Sequence, residues 1–289
     1  MSSAAAAEGA DIEARTGITY AEHDGVALLG DLYAPKVRRN APVLVAVHGG
    51  GWQIGSRESY RYWGPYLARR GFALFSVDYR LAEKGRKMFP EAGQDVRAAV
   101  QYVRGEAANL GLDPSRIALI GDSVGAHLSA LVALAGEKVP FSTGYPSDRH
   151  ALVPSSVKAA ILFYGVYDMA AQWRHDQLTR PRDQITQKFL GAAPADDRRL
   201  FFDASPLSYV ETNDNATSFL LTWGTEDNIV DRVTQSEVML TALTEAGKFV
   251  RTSIVQSAPH FWASEPIEET GSFSGFFAPR LLRFLNERL

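Results

Sequence analysis

The chain has 289 residues, of which 46% are hydrophobic and 22% charged, and its formal net charge is −3. This length and apolar content are enough for one large α/β domain with a sizeable core. The slightly acidic balance excludes a strongly basic surface for nucleic acid or anionic lipid, and the absence of cysteine excludes disulfides and thiolate chemistry.

The N-terminus contains a run of four alanines, but no basic residue precedes it and Glu8, Asp11 and Glu13 follow. A secretory signal has a basic start and a longer apolar stretch, so we predict a mobile tail over residues 1–15. No apolar run approaches the ~20 residues that span a bilayer. We therefore expect a soluble, cytoplasmic protein with no membrane or nucleic-acid partner.

Eight segments are predicted to be strands. The first two are amphipathic, whereas the later ones are short and almost wholly apolar, as parallel strands covered on both faces must be. The predicted strands are Ile18–Tyr20, Val26–Tyr33, Val43–Val47, Ala73–Val77, Ile117–Ile120, Ala159–Phe163, Phe219–Thr222 and Thr252–Val255.

Segments with a helical period separate the later strands, and this alternation predicts an α/β fold with a mostly parallel central sheet and helices on both faces. We predict one domain over residues 16–289, with a loop at Gly111–Ser115. Residues 167–209 mix charges, prolines and aromatic residues, which predicts a small helical cap insertion over the carboxyl edge of the sheet. The predicted helices are Ser59–Arg70, Ala92–Asn109, Val124–Ala135, Val233–Ala246 and Ala278–Leu289.

A Gly-Asp-Ser-Val-Gly motif at residues 121–125 lies between a predicted strand and a predicted helix. This is the context of the G-x-S-x-G nucleophile elbow, in which a strained turn exposes a serine hydroxyl and small neighbours let strand and helix approach. Ser123 is therefore the predicted nucleophile. The alternative is a serine in a structural turn.

A His-Gly-Gly-Gly-Trp motif at residues 48–52 directly follows another predicted strand. Consecutive glycines let backbone amides face a ligand with no side chain in the way, which suits a tetrahedral oxyanion. We predict an oxyanion hole formed by the N–H groups of Gly50, Gly51 and Val124. The alternative is a flexible glycine turn.

The serine needs a base, and histidine is the commonest one. In open α/β sheets, ligands bind outside the carboxyl ends of the strands. Of the six histidines, His260 follows the predicted strand Thr252–Val255 and agrees with the chain order Ser, Asp or Glu, His. His260 is therefore the predicted base.

Each of the other five histidines has a structural interpretation. We expect His23 to be exposed in a turn between strands and His48 to brace the glycine loop that it opens. His127 is expected to be buried and packed against its neighbours, and His150 and His175 are expected in polar loops.

The third catalytic residue is expected after the strand that ends near Thr222, where Glu226 and Asp227 are adjacent. We favour Asp227, because Asp231 then serves as an N-cap of the following helix, and Glu226 is the competing choice. Asp227 would accept from the imidazole and fix its tautomer.

Aromatic and basic residues near these motifs are candidates for substrate binding. The aromatic residues could equally well be buried in the core. For the basic residues, exposure to solvent is the favoured interpretation. The aromatic candidates are Trp52, Tyr164, Phe261 and Trp262, and the arginines of the insertion are Arg174, Arg180 and Arg182.

The sequence resembles the hormone-sensitive-lipase-like branch of bacterial carboxylesterases and related α/β-hydrolases that include feruloyl-esterase-like enzymes. The resemblance implies the α/β-hydrolase fold, an ester substrate with a short acyl chain, and no cofactor or metal. Its matching segments are His48–Trp52, Val77–Ala82, Phe89–Ala92 followed by Asp95, Asp113–Ile117, Gly121–Gly125, Gly224–Asp227 and His260.

Two features depart from that pattern. Val124 stands where these families usually have alanine, which narrows the acyl site. Ala126-His127 is similar to kynurenine-formamidase-like hydrolases, although those carry an aromatic residue where this chain has Gly51. Amide hydrolysis is therefore the alternative to ester hydrolysis, and a non-catalytic ligand-binding protein is a third interpretation.

These observations predict a serine carboxylesterase that hydrolyses short-chain acyl or small aromatic esters through an acyl-enzyme on Ser123. The expected partner is a small-molecule ester. The oligomeric state stays open, a homodimer included.

Overall fold

The computed structural model describes residues 11–37, 40–83, 85–211 and 217–289. Over this part of the chain, one sheet contains eight strands in the order β1-β2-β4-β3-β5-β6-β7-β8. The strands are β1 (Ile12–His23), β2 (Val26–Pro35), β3 (Ala41–Val47), β4 (Ala73–Val77), β5 (Leu112–Asp122), β6 (Ala159–Phe163), β7 (Ser218–Gly224) and β8 (Val250–Val255).

Strands β1 and β2 are antiparallel to their neighbours, and all remaining pairs are parallel. Every residue of β3, β4, β6 and β7 is buried. Strands buried on both faces need continuous apolar sequences, which is the pattern these segments have. The predicted mostly parallel sheet is confirmed.

Helices cover both faces of this sheet. One layer pairs α1 with α9, where the rings of Trp63 and Phe277 meet, and the other pairs α2 with α4. A π-helical turn at Val233–Glu237 leads into α8. The helices are α1 (Trp63–Ala68), α2 (Glu91–Gly105), α3 (Ala107–Leu110), α4 (Val124–Ala135), α5 (Met169–Thr179), α6 (Ile185–Leu190), α7 (Arg198–Asp203), α8 (Val238–Glu245) and α9 (Phe273–Arg288), and short 3-10 turns occupy Arg57–Tyr60, Pro206–Tyr209 and Trp262–Ser264.

Helices α5, α6 and α7 lie between β6 and β7, in the segment where the cap insertion was predicted. Asp168 caps α5 by accepting from the amide of Ala171, and Asp197 caps α7 by accepting from the amide of Leu200. Gly191 ends α6 in a left-handed conformation. The division into one domain with a cap stays a prediction.

Two predicted boundaries are wrong. Residues 1–10 of the predicted tail lie outside the described residues, but Ile12 already belongs to β1, where it pairs with Pro35. Gly111–Ser115 was predicted as a loop, whereas β5 begins at Leu112. In both places a neighbouring strand supplies partners that the local sequence does not reveal.

Two histidines also differ from expectation. His23 is fully buried at the end of β1, with Nδ1 2.6 Å from Asp95 Oδ1 and Nε2 2.8 Å from Asp148 Oδ2. The predicted exposed turn is wrong because distant carboxylates enclose the ring. His175 lies in α5 rather than in a loop. Within the described residues, no helix is long and apolar enough to cross a bilayer.

Candidate active site

Ser123 lies between the last residue of β5 and the first residue of α4, with φ of 54°. This left-handed conformation is strained for a non-glycine residue and aims the side chain out of the turn. A Cβ on Gly125 would come 2.0 Å from the carbonyl oxygen of Val47, and one on Gly121 would come 2.4 Å from that of Gly125. The motif therefore needs both glycines for strand and helix to approach this closely.

His260 contacts both other members of the predicted triad. Its Nε2 lies 3.0 Å from Oγ of Ser123, and its Nδ1 lies 2.6 Å from Oδ2 of Asp227. The side chains of His260 and Asp227 are almost fully buried. With Nδ1 donating to the carboxylate, Nε2 is the free acceptor for the serine proton.

The loop after β7 fixes the orientation of Asp227. Its Oδ1 accepts from the amides of Ile229 at 2.9 Å and Val230 at 3.0 Å, which leaves Oδ2 for His260. Glu226 is exposed, and of the two adjacent carboxylates it is Asp227 that bonds to His260. Asp231 accepts from the amide of Thr234, the capping contact expected of it.

The glycine loop after β3 adopts conformations that suit glycine, with φ of 113° at Gly50 and 62° at Gly51. Among the described residues, none accepts from the amide of Gly50 or Gly51. The amide of Val124 is in the first turn of α4, where N–H groups have no intrahelical acceptor. Gly50, Gly51 and Val124 all line the same cavity as Ser123 and His260, as the predicted oxyanion hole requires.

His48 braces this loop, as expected. Its ring is buried and stacks on Tyr79 with centroids 4.4 Å apart, and its Nδ1 lies 2.7 Å from the carbonyl oxygen of Gly49. Burial lowers the pKa of His48, which keeps the ring neutral.

The four aromatic candidates separate into two groups. Trp52 and Phe261 border the cavity, and Phe261 is 56% exposed beside the ring of His260. Tyr164 and Trp262 are 1% exposed, as Trp52 is, but they do not line this cavity, so core packing, the alternative interpretation, describes their position. Tyr164 accepts from the amide of Ala263 and touches the imidazole from behind, at 4.5 Å between centroids.

The cavity at the triad has a volume of about 400 Å³. Its aliphatic lining residues are Val124, Val166, Ile185, Ile229 and Val230. Charged residues of the insertion line it as well, namely Asp176, Arg180, Arg182, Asp183 and Lys188.

The three arginines of the insertion occupy different places. Arg180 pairs with Asp176 at 2.6 Å and is only 22% exposed, so the favoured solvated interpretation is wrong for this residue. Arg182 lines the same cavity and is exposed. Arg174 lines a separate cavity of about 790 Å³ between α5 and α7, which contains none of the triad residues.

Nothing in the described part of the chain suggests a metal centre, because no three His, Asp or Glu side chains there are grouped to hold an ion. Ser123, His260 and Asp227 instead form a hydrogen-bonded series at the edge of a cavity. A hydroxyl, an imidazole and a carboxylate in this order are the side chains that acyl transfer uses.

Several known proteins resemble this chain in sequence or in structure. The BD-FAE family model matches residues 30–243, which is most of the chain. The chain belongs to the BD-FAE family. Its relatives include esterase LipQ of Mycobacterium tuberculosis, which is 33% identical over 213 residues, covering 72% of this chain and 47% of LipQ. The chain spans about half the length of the curated relatives it matches.

Solved structures resemble this BD-FAE member over nearly its whole length. The esterase Est2 of Thermogutta terrifontis superposes with a TM-score of 0.74 at 26% identity, covering 98% of this chain and 93% of Est2. A truncated carbohydrate esterase from gut microbiota shares the fold, with a TM-score of 0.77 at 24% identity and 96% of each chain covered. The fold is therefore that of the α/β-hydrolases, and the resemblance to esterases of this superfamily is confirmed.

Asp122, which was not predicted from the sequence, also shapes the site of this BD-FAE member. Asp122 Oδ1 accepts from the amide of Gly49 and from the hydroxyl of Tyr60, both at 3.1 Å, and so ties the glycine loop to the end of β5. Although part of Asp122 remains exposed, burial of its carboxyl raises its pKa to about 6. Its position beside Ser123 in the motif was the signal that could have identified it.

Proposed function

We propose that this chain is a serine carboxylesterase that hydrolyses short-chain acyl or small aromatic esters. One observation carries the proposal: a continuous hydrogen-bonded chain runs from Ser123 through His260 to Asp227 at the wall of a cavity. The relatives LipQ and Est2 are named esterases, which supports the same reaction class.

In the first half of the reaction, Oγ of Ser123 attacks the ester carbonyl carbon while Nε2 of His260 takes the hydroxyl proton. The carbonyl electrons move to oxygen, and the N–H groups of Gly50, Gly51 and Val124 donate to the oxyanion. The tetrahedral intermediate then collapses. The alcohol leaves with the proton from His260, and an ester of Ser123 remains.

In the second half, water gives a proton to His260 and adds to the acyl carbonyl. The second tetrahedral intermediate uses the same three N–H donors. Its collapse breaks the bond to Ser123, whose oxygen recovers the proton from His260, and the carboxylic acid is released. The net reaction consumes one ester and one water and forms one acid and one alcohol.

The cavity supports a small acyl group. Its volume of about 400 Å³ is at the low end of small-molecule sites, and Val124 and Val166 place branched side chains on its wall. A short aliphatic or single-ring acyl group fits this space better than a long chain.

Amide hydrolysis of the kynurenine-formamidase type was suggested by Ala126-His127. His127 is fully buried, with its two ring nitrogens near Trp52 and the carbonyl oxygen of Ala204. It does not line the cavity, so it adds no amide-specific contact. We therefore keep ester hydrolysis as the proposal.

The test is hydrolysis of p-nitrophenyl acetate and butyrate by the wild type and by Ser123→Ala. We expect turnover by the wild type and a loss of at least about 10³-fold in the variant. Labelling by a fluorophosphonate, mapped by mass spectrometry, should locate the modification on Ser123. A wild type that hydrolyses N-formylkynurenine but neither these esters nor phenyl acetate would contradict the proposal.

We also propose that the protein works without a cofactor, as the family resemblance implies, and that it resides in the cytoplasm. The absence of cysteine fits a reducing compartment. Cell fractionation followed by immunoblotting tests the location. Recovery of the protein in a secreted fraction would contradict it.

A further inference from the structure

Asp176 is a carboxylate of α5 that the proposed reaction does not use. It is only 1% exposed, although it lies in an insertion that borders solvent. Burying a carboxylate is costly unless it is paired and hydrogen-bonded, so its partners must compensate for the lost hydration.

Three side chains supply those partners. Oδ1 of Asp176 accepts from Nε2 of Gln172 at 2.9 Å and from Nη2 of Arg180 at 2.6 Å, and Oδ2 accepts from the hydroxyl of Thr186 at 3.2 Å. Gln172 and Arg180 belong to α5 and its C-terminal cap, whereas Thr186 belongs to α6. Asp176 therefore joins these two helices.

The same two donors reach the loop that carries Asp227. Nε2 of Gln172 lies 3.1 Å and Nη2 of Arg180 lies 3.2 Å from the carbonyl oxygen of Ile229. The amide of Ile229 in turn donates to Oδ1 of Asp227 at 2.9 Å. One residue, Ile229, thus receives contacts from the insertion on one side and holds the catalytic carboxylate on the other.

Two further contacts join α5 to the same region. Nε2 of His175 lies 3.2 Å from the carbonyl oxygen of Asn228. The side chain of Gln235, in the π-helical turn that follows the loop, accepts from the amides of Tyr167 and Asp168 at the start of α5. The insertion and the Asp227 loop are therefore bonded at several points rather than merely adjacent.

We propose that Asp176 is a positioning residue for the triad. It holds Gln172 and Arg180 against the carbonyl oxygen of Ile229 and so keeps Oδ2 of Asp227 in line with the imidazole of His260. Asp176 makes no hydrogen bond to Ser123, His260 or Asp227, so its effect on the chemistry passes through Ile229 to Asp227. The proposal rests on the proposed function for the role of Asp227.

The experiment measures the second-order rate constant with which a fluorophosphonate modifies Ser123, because this reaction needs the activated serine but no ester. We expect Asp176→Ala to lower that rate constant about tenfold. In an Asp227→Ala background, the same substitution should change it less than about twofold, because residues that act as a unit are not additive.

The insertion provides a matched control. Arg199 and Asp203 form another ion pair four residues apart, on α7, at 2.8 Å and away from the triad cavity. Asp203→Asn should leave the rate constant unchanged. Gln172→Leu removes one donor to Ile229 while keeping the Asp176–Arg180 pair, and should slow modification about threefold even if Asp176→Ala does not fold.

The outcomes separate the two proposals. Equal losses from Asp176→Ala with and without Asp227, or an unchanged rate constant in Asp176→Ala and Gln172→Leu, would overturn the positioning role. A wild type that is modified at Ser123 yet hydrolyses no ester would contradict the proposed function alone. A wild type that does not react at Ser123 at all would contradict both.

Discussion

The indole N–H of Trp52 donates to Nδ1 of His127 across 3.2 Å, and this bond joins the glycine loop to α4, the helix that follows Ser123. The other ring nitrogen of His127 lies 2.8 Å from the carbonyl oxygen of Ala204 in the insertion. Trp52 also stacks on Phe189 of α6, with centroids 4.5 Å apart. The loop with the proposed oxyanion donors is thus held both by α4 and by α6 of the insertion.

The choice of catalytic acid can be tested by exchanging each carboxylate for its amide. Asp227→Asn removes the charge that orients His260 and stabilises its protonated form, and we expect kcat to fall by about 10³- to 10⁴-fold. Glu226→Gln, at the exposed neighbour, is the control and should retain full activity. Full activity in Asp227→Asn together with loss in Glu226→Gln would show that we chose the wrong residue.

The glycine loop allows a graded test of the oxyanion donors. A Cβ at Gly50 would lie 2.1 Å from the backbone oxygen of Ile54, so Gly50→Ala must displace the loop. We expect kcat per titrated active site to fall at least about 100-fold, the effect of losing one such donor. At Gly51 the nearest atom is a side-chain methyl of Ile185 at 3.3 Å, so Gly51→Ala should be milder. The reverse order of the two effects would contradict this assignment.

Val124 is expected to limit the length of the acyl group. It is 3% exposed and lines the cavity beside Ser123. Val124→Ala removes two methyl groups from the wall and should raise the ratio of kcat/KM for p-nitrophenyl hexanoate over acetate about tenfold. If kcat/KM changed by the same factor for every acyl length, Val124 would not be the residue that limits the length of the acyl group.

His127 should make the stability of the fold depend on pH. Burial lowers the pKa of His127 to about 4, so the folded state favours the neutral ring. The contribution is fully present above the ordinary pKa of about 6.5 and is lost as the pH falls toward 4, by up to about 3 kcal/mol.

In His127→Gln, the free energy of unfolding should therefore decrease less than in the wild type between pH 6.5 and 4. Urea denaturation at several pH values measures the difference between the two curves. Parallel curves over that range would show that His127 does not titrate with folding.

Much of the fold could be predicted because the information is local. The buried runs of β3, β4, β6 and β7 are apolar along their whole length, and a parallel strand covered by helices requires this. The positions of Ser123, Asp227 and His260 followed from one rule, that the carboxyl ends of parallel strands share an edge. The hydrogen bonds among these three residues also require the strand order of the sheet, which places the carboxyl ends of β5, β7 and β8 close together.

The remaining features depend on contacts between distant segments. Nothing near His23 indicates that Asp95 and Asp148 enclose it, and the sequence around Tyr164 does not distinguish a pocket wall from the core. The aromatic residues beside the motifs are equally apolar whether buried or lining a cavity. Their placement is decided by tertiary packing, which local pattern does not encode.

The bonds between the insertion and the carbonyl oxygen of Ile229 have a consequence for how such a protein can diversify. Exchanging residues 169–209 for a foreign segment would change part of the cavity lining and, in the same step, remove the two side-chain donors to the loop that carries Asp227. A productive chimera would have to bring its own donors for that oxygen. New specificity in this lineage is therefore easier to reach by point changes facing the cavity, at Ile185 or Lys188, than by transplanting the whole segment.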